Sequence, residues 1–242
     1  MSIHTQSGGA ASPPRAACEL QGWQSMLDAS IARSRKVRGG NYVQLATVGP
    51  DGKPHCRTVV FRGFVEPGTA SASAESVEAA EPAASAAAVT SAPKRGRALK
   101  MITDARSEKV KEVAHSPACE MVWWFGKSNE QYRIAGALQL VGAAEQDAEL
   151  QSARKQQWGQ LRDTAREQFY WHHPGRPFEG AADVPESGRD QETGKVLPVP
   201  DSFLLVLLWP EQVRYLRLTD NFAQLDALDA ASGAWSQERV NP

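Results

Sequence analysis

Residues 41–64, NYVQLATVGPDGKPHCRTVVFRGF, constrain the fold more than any other stretch of the chain. Val43, Leu45 and Thr47 alternate with Tyr42, Gln44, Ala46 and Val48, a period of two that predicts a strand with one buried face. Residues 49–52, GPDG, supply turn chemistry, because glycine accepts positive φ and an aspartate side chain bonds its own backbone. A second strand is expected over residues 55–64, apolar in its middle and carrying Arg57 and Arg62. A guanidinium offers a fixed fork of donors that suits phosphate, so this strand is a candidate anion site; the plainer reading of the same two charges is a solvated strand face.

At 242 residues the chain is long enough to bury a sizeable core. With 27 Lys and Arg against 28 Asp and Glu, the net charge of −1 supplies no global field for nucleic acid or an anionic membrane, so a basic site has to be local. No apolar run approaches the ~18 residues of a membrane span, and the expectation is a soluble, cytoplasmic protein. Cys18, Cys56 and Cys119 are odd in number and far apart, which fits a reducing compartment; Cys56 and Cys119 read as small core residues. Residues 1–17 contain no acid and read as a disordered tail, with import into an organelle as the alternative. Residues 18–242 are expected to form a single domain, interrupted at 65–95 by a low-complexity run of Ala, Ser, Glu, Pro and Gly without an aromatic. Such a run buries too little apolar surface to order itself and is tolerated in a hairpin connection.

The remaining pattern is mainly β. Apolar spacing predicts a helix over 18–32, a short strand over 98–103 and a helix entered at Asp104 or Ser107. Thr103, Ser107, Arg106 and Lys109 gather at that helix start, where unpaired N–H groups and cations together suit a phosphate. Residues 119–125 and 131–141 make a second hairpin, with Gln131 and Arg133 on one face. A helix is expected over 145–170, a polar loop over 176–200, a buried strand over 203–209, and a last hairpin partner beginning at Val213, Tyr215 and Leu218. His172 and His173 are adjacent and lack the spacing of a metal site, so no metal is assigned. The tally is a six-stranded antiparallel barrel with helical decoration.

LATVGPDGKPHCRTVVFRGF, MITDARSEKVKEV and WWFGKSNEQYRIAGALQLVG, in this order, resemble the FMN-binding split-barrel family of pyridoxamine 5′-phosphate oxidase. AREQFYWHHPG, LPVPDSF and WSQERVNP resemble its cyanobacterial and plant branch. The resemblance implies a Greek-key split β-barrel, FMN as cofactor, and a homodimer with a flavin at the subunit interface. It implies Arg57 on the FMN phosphate, Thr58, Val59 and Val60 along the flavin, Ile102, Thr103, Ser107 and Lys109 at the phosphate, and Gln131 at the isoalloxazine edge. Arg62 stands where the family has a lysine for the substrate phosphate, Glu108 stands for an arginine that Arg106 is placed to replace, and Arg166 and Trp171 occupy the substrate-binding region. The implied activity is hydride transfer from a small, phosphorylated amine substrate to FMN, with reoxidation by oxygen. No side chain is assigned as catalytic, since the flavin carries the chemistry. Two alternatives remain open: a non-catalytic flavin-binding protein, and a split-barrel haem protein using His172 or His173.

Overall fold

The computed structural model describes residues 22–65, 97–182 and 184–242. The chain runs through helix α1 (Trp23–Ser34), strands β1 (Tyr42–Val48), β2 (Pro54–Val60), β3 (Phe64–Val65) and β4 (Ala98–Asp104), and helix α2 (Glu108–His115). Then come β5 (Ala118–Phe125), β6 (Glu130–Val141), helices α3 (Ala148–Gly159) and α4 (Asp163–Glu167), β7 (Phe203–Arg217), β8 (Phe222–Leu228) and β9 (Trp235–Val240). The ladders are antiparallel in the order β2-β1-β5-β6-β7-β4-β3, with β8 added to β7 and β9 to β8. Among the described residues nine strands are formed where the sequence pattern gives six: β3 is a two-residue graft onto β4, and β8 and β9 are a terminal hairpin.

Hydrogen bonds do not close this path. Its ends, β2 and β3, are instead consecutive in the chain, so the strand expected over 55–64 breaks at Val60. Phe61 N still donates to Asn41 O (2.9 Å) beside β1, whereas Arg62 N donates to Lys100 O and Lys100 N to Gly63 O (both 2.8 Å) on β4. Three residues therefore carry the chain from one half of the split barrel to the other. Gly63 makes the step at φ 110°, a conformation costly for any residue with a Cβ.

Burial alternates along β1 as the pattern predicts, with Val43, Leu45 and Thr47 inside. They join Met101, Met121, Trp123, Ile134, Val206 and Val213 in the barrel core, which α1 plugs with Trp23 and Leu27. On the outer side, Leu150 and Ala153 of α3 cover Val141, Leu205 and Leu207, so β7 is buried on both faces from Phe203 to Trp209. The helix expected over 145–170 is broken after Gly159. Asp147 caps α3 by accepting from Glu149 N (2.8 Å) and Leu150 N (3.1 Å), and α4 restarts at Asp163.

The strand expected to end at Trp209 continues to Arg217, so Val213 and Tyr215 lie on it and β8 is the hairpin partner. A bulge opposite Ala135 and Gly136 leaves Glu211 as the extra residue, next to Pro210, which has no N–H to give the ladder. A Cβ on Gly136 would stand 2.0 Å from Trp209 O, so only glycine lets β6 and β7 approach there. Cys56 is exposed rather than buried, on the outward side of β2; burial and the nearby Glu211 and Glu120 push the half-buried Cys119 thiol up to about 12. The expected tail and all but Val65 of the expected insertion lie outside the described residues.

Glu130 is the polar tie at the plugged end. Its carboxylate accepts from Arg33 (2.7 and 2.8 Å), Ser30 (2.8 Å), Ser128 (2.5 Å) and Tyr215 (2.7 Å), joining α1, β6 and β7. Burial alone would raise this carboxyl; the four donors outweigh it and hold it below the usual carboxylate range. A carboxyl depressed on folding stabilises above its unfolded value and loses that contribution as pH falls through its folded one. Urea unfolding of Glu130→Gln should therefore show a loss of about 2 kcal/mol at pH 7 that narrows below about pH 4. Gly136→Ala should cost ~2 kcal/mol or more by the same measurement.

Candidate functional site

Register decides which way Arg57 points. Paired residues of an antiparallel ladder share a face, and Arg57 pairs with Leu45, a core residue. The guanidinium therefore turns to the inner side at the end of the barrel covered by α2. There it donates through Nη1 to Leu45 O (3.4 Å) and to Thr47 Oγ1, and through Nη2 to Glu112 Oε2 (2.5 Å). Thr47 Oγ1 donates to the same carboxylate oxygen (2.5 Å), and His55 Nδ1 lies 3.1 Å from Oε1. Three of the five guanidinium hydrogens are used; Nε–H and one Nη2–H have no acceptor among the described residues.

The start of α2 supplies the other half. Ser107 occupies the N-cap position but makes no side-chain cap hydrogen bond. Its hydroxyl donates instead to Asp104 O (2.7 Å) and meets Thr103 Oγ1 at 2.9 Å. Lys109 Nζ donates back to Thr103 Oγ1 (2.9 Å) and Ser107 Oγ (3.2 Å), folding its ammonium over the first turn. Burial first, and then the positive charge of Arg57, hold Lys109 below the usual ammonium range, against the pull of Glu112 and Asp104. Two cations from different elements thus lie close enough to repel, Lys109 on two hydroxyls at the helix start and Arg57 on Glu112 with two donors to spare, a cradle suited to an anion.

Glu112 was invisible as a site residue in the sequence. On α2 it is one of several charges, yet it is 3% exposed and pulled below the usual carboxylate range: burial alone would raise it, and Thr47, Arg57 and His55 together overcome that. Arg106 does not replace the arginine that Glu108 displaces. Its guanidinium is forked onto Asp104 (2.7 and 3.0 Å) and donates to Trp171 O (3.0 Å), while Glu108 is exposed beside Lys111. The loop after α4 is thereby stitched to the cradle.

The other expected residues fall in three places. Val59 turns inward against the core, whereas Thr58 and Val60 turn out onto the open face of β2, β1, β5 and β6 with Tyr42 and Trp124, 54% and 44% exposed. Gln131, half-buried and paired with Trp124, lies on that open face too, three strand spacings or about 14 Å from β2 within one chain. Ile102 packs outward under α3, on the opposite side of β4 from Thr103.

Arg62 is half-buried near Tyr42, and its Nε is buried without an acceptor among the described residues. Burial and then the like charge of Arg162, at the break between α3 and α4, disfavour its charged form. Arg162 makes no ion pair among the described residues and was passed over in the sequence because the helix was expected to continue through it. Arg166 is 1% exposed, and its donors go to Leu161 O, Ser187 O and Asp163, so it fastens the loop rather than facing the cleft. Trp171, half exposed, lines a cavity of about 400 Å³ with His172, His173, Arg176 and Phe178. Among the described residues, no three His, Cys, Asp or Glu side chains gather as a metal set, and no helix is long and apolar enough to cross a membrane.

The profile of the family described as pyridoxamine 5′-phosphate oxidase, FMN-binding domain, matches residues 20–142. The chain belongs to this family. Pyridoxine/pyridoxamine 5′-phosphate oxidase 2 of Arabidopsis thaliana is 30% identical over 223 residues, covering 91% of this chain and 96% of that protein. The crystal structure of a pyridoxamine 5′-phosphate oxidase-related, FMN-binding protein from Nostoc punctiforme matches at 32% identity and a TM-score of 0.71, over 92% of this chain and 98% of that one. PhzG from Burkholderia lata shares the fold at 15% identity and a TM-score of 0.60, over 90% and 92% of the two chains. The cofactor of the family is FMN, and the Arg57–Lys109 cradle fits its phosphate: two cations, two hydroxyls and unused guanidinium donors.

Arg57→Ala should weaken FMN binding about 100-fold, read by quenching of flavin fluorescence, as expected for the loss of a charge-assisted fork. Because the Lys109 ammonium is depressed, FMN affinity should fall as pH rises through its lowered value, and Lys109→Arg should flatten that decline.

Proposed function

We propose that this chain is an FMN-dependent oxidase of a small phosphorylated amine or alcohol of the vitamin B6 type, working as a homodimer. The observation that carries the reading is the Lys109 ammonium held on the hydroxyls of Thr103 and Ser107 at the start of α2, close enough to Arg57 for the two charges to repel. When bound, the flavin supplies a two-electron acceptor that takes hydride from the substrate carbon and is reoxidised by oxygen.

The protein's own residues bind and orient. Arg57, Thr103, Ser107 and Lys109 hold the cofactor phosphate, and Thr58 and Val60, on the open face of β2, lie along the flavin, whereas Val59 packs into the core and Ile102 under α3. Arg62, with an unused buried Nε–H, and Arg162 beside it form a second anion site for the substrate phosphate. Trp171, on the loop tied down by Arg106, offers an aromatic wall to the substrate ring. Gln131 is too far across the sheet to serve the same cradle within one chain, and its place on the open face supports a flavin edge read by the twin subunit. The name of the Arabidopsis relative supports the substrate class.

The first test is the absorbance spectrum of the purified protein, expected to show bound flavin. The second is turnover of pyridoxamine 5′-phosphate and pyridoxine 5′-phosphate under air. Bound FMN without turnover of either would establish a non-catalytic flavin-binding protein instead. Arg62→Ala and Arg162→Ala should each raise KM for the phosphorylated substrate about tenfold or more, with FMN affinity unchanged.

A further inference from the structure

The Arg57–Glu112 pair sits under the phosphate cradle in an arrangement that charge complementarity alone does not explain. A carboxylate beside a site for a dianion repels it, and by Coulomb's law the site would bind phosphate more tightly without Glu112. Yet Glu112 is buried, receives Thr47 Oγ1, Arg57 Nη2 and His55, and reaches them from α2, the helix whose first turn carries Lys109. With Nη1 committed to Leu45 O and Thr47 and one Nη2–H to Glu112, the guanidinium cannot rotate or withdraw along β2. The hydrogens left over, on Nε and Nη2, present a fork held in place before any ligand arrives.

We infer that Glu112 is the positioning residue of the phosphate cradle: it locks the Arg57 guanidinium against Thr47 and α2, so that its two remaining donors and the Lys109 ammonium meet one phosphate group. This rests on the FMN reading of the cradle. The benefit is pre-organisation, since a long side chain already fixed loses little freedom on binding, and it outweighs the repulsion that the carboxylate contributes. His55 on the second carboxylate oxygen and Thr47 on the first keep Glu112 from turning into the cradle itself.

The sign of one substitution separates this from a charge-balancing role. Glu112→Gln keeps the shape and removes the charge. If Glu112 positions Arg57, Kd for FMN rises about tenfold, while Kd for riboflavin, which lacks the phosphate, is unchanged. A tighter FMN complex in the variant, or an equal one, overturns the inference. So does a parallel weakening of riboflavin and FMN, which would mean a general loss of structure. Thr47→Val, which removes the other side-chain anchor of Arg57 and leaves every charge in place, is the second variant; it should show the same phosphate-confined loss, and no loss there overturns the inference even if Glu112→Gln fails to fold. A wild-type protein that binds neither flavin overturns the FMN reading itself, whereas wild-type FMN binding with variants indistinguishable from it overturns the positioning role alone.

Discussion

The step of the chain across residues 61–63 is the constraint on which the rest depends. A sheet of this path could close only by pairing β2 with β3, and consecutive segments of one run cannot pair with each other. The chain instead changes ladders there, from Asn41 beside β1 to Lys100 on β4, through the positive φ of Gly63. Everything chemical in the neighbourhood follows from that crossing. Arg57, before it, takes the inward face of β2 beneath α2; Arg62, after it, emerges near Tyr42 and Arg162. Two arginines five positions apart on an unbroken strand would point to opposite faces of one sheet, about 16 Å apart. Here they also lie on two different halves of the barrel, Arg57 on β2 and Arg62 against Lys100 of β4.

The cradle illustrates how a barrel end can hold cations without collapsing them onto acids. Burial first, and then the like charge of Arg57, depress the Lys109 ammonium. Glu112 offsets part of that repulsion, but from below, where Thr47 and His55 also hold it. The hydroxyls of Thr103 and Ser107 meet each other and accept from Lys109. At the opposite, plugged end, Glu130 meets Arg33 with three hydroxyl donors and leaves no cation over. The two buried carboxylates are alike in their surroundings and differ in what remains unpaired next to them.

Much of this was legible in the sequence, and where it was not the reason is local. The β1 alternation, the GPDG turn and the apolar run of β5 fixed their strands because each matches a period and ends in turn residues. The gathering of Thr103, Ser107 and Lys109 could be named because hydroxyls and cations cluster at a helix start. Glu112 could not, since its role comes from facing Thr47 and Arg57 across sequence separations of 65 and 55 residues. Arg162 was hidden by helix-favouring neighbours, Gly159 being the one weak signal of the break. Arg166 was overvalued because a charge in a plausible region says nothing of burial, and only the fold shows it turned onto Leu161 O and Ser187 O.

The bulge opposite Gly136 also sets the phase of β7. Before it the core is reached by Val206 and Leu208, at even positions; after it by Val213 and Tyr215, at odd ones. The supernumerary residue thus works like an inserted beat: one strand runs in two registers of in and out, and both halves present their apolar side to the same interior. Loss of a single amino acid between Trp209 and Gln212 would put the two halves out of step, turning Val213 and Tyr215 to the outside and parting the Tyr215 hydroxyl from Glu130. At this place the number of residues matters more than their identity.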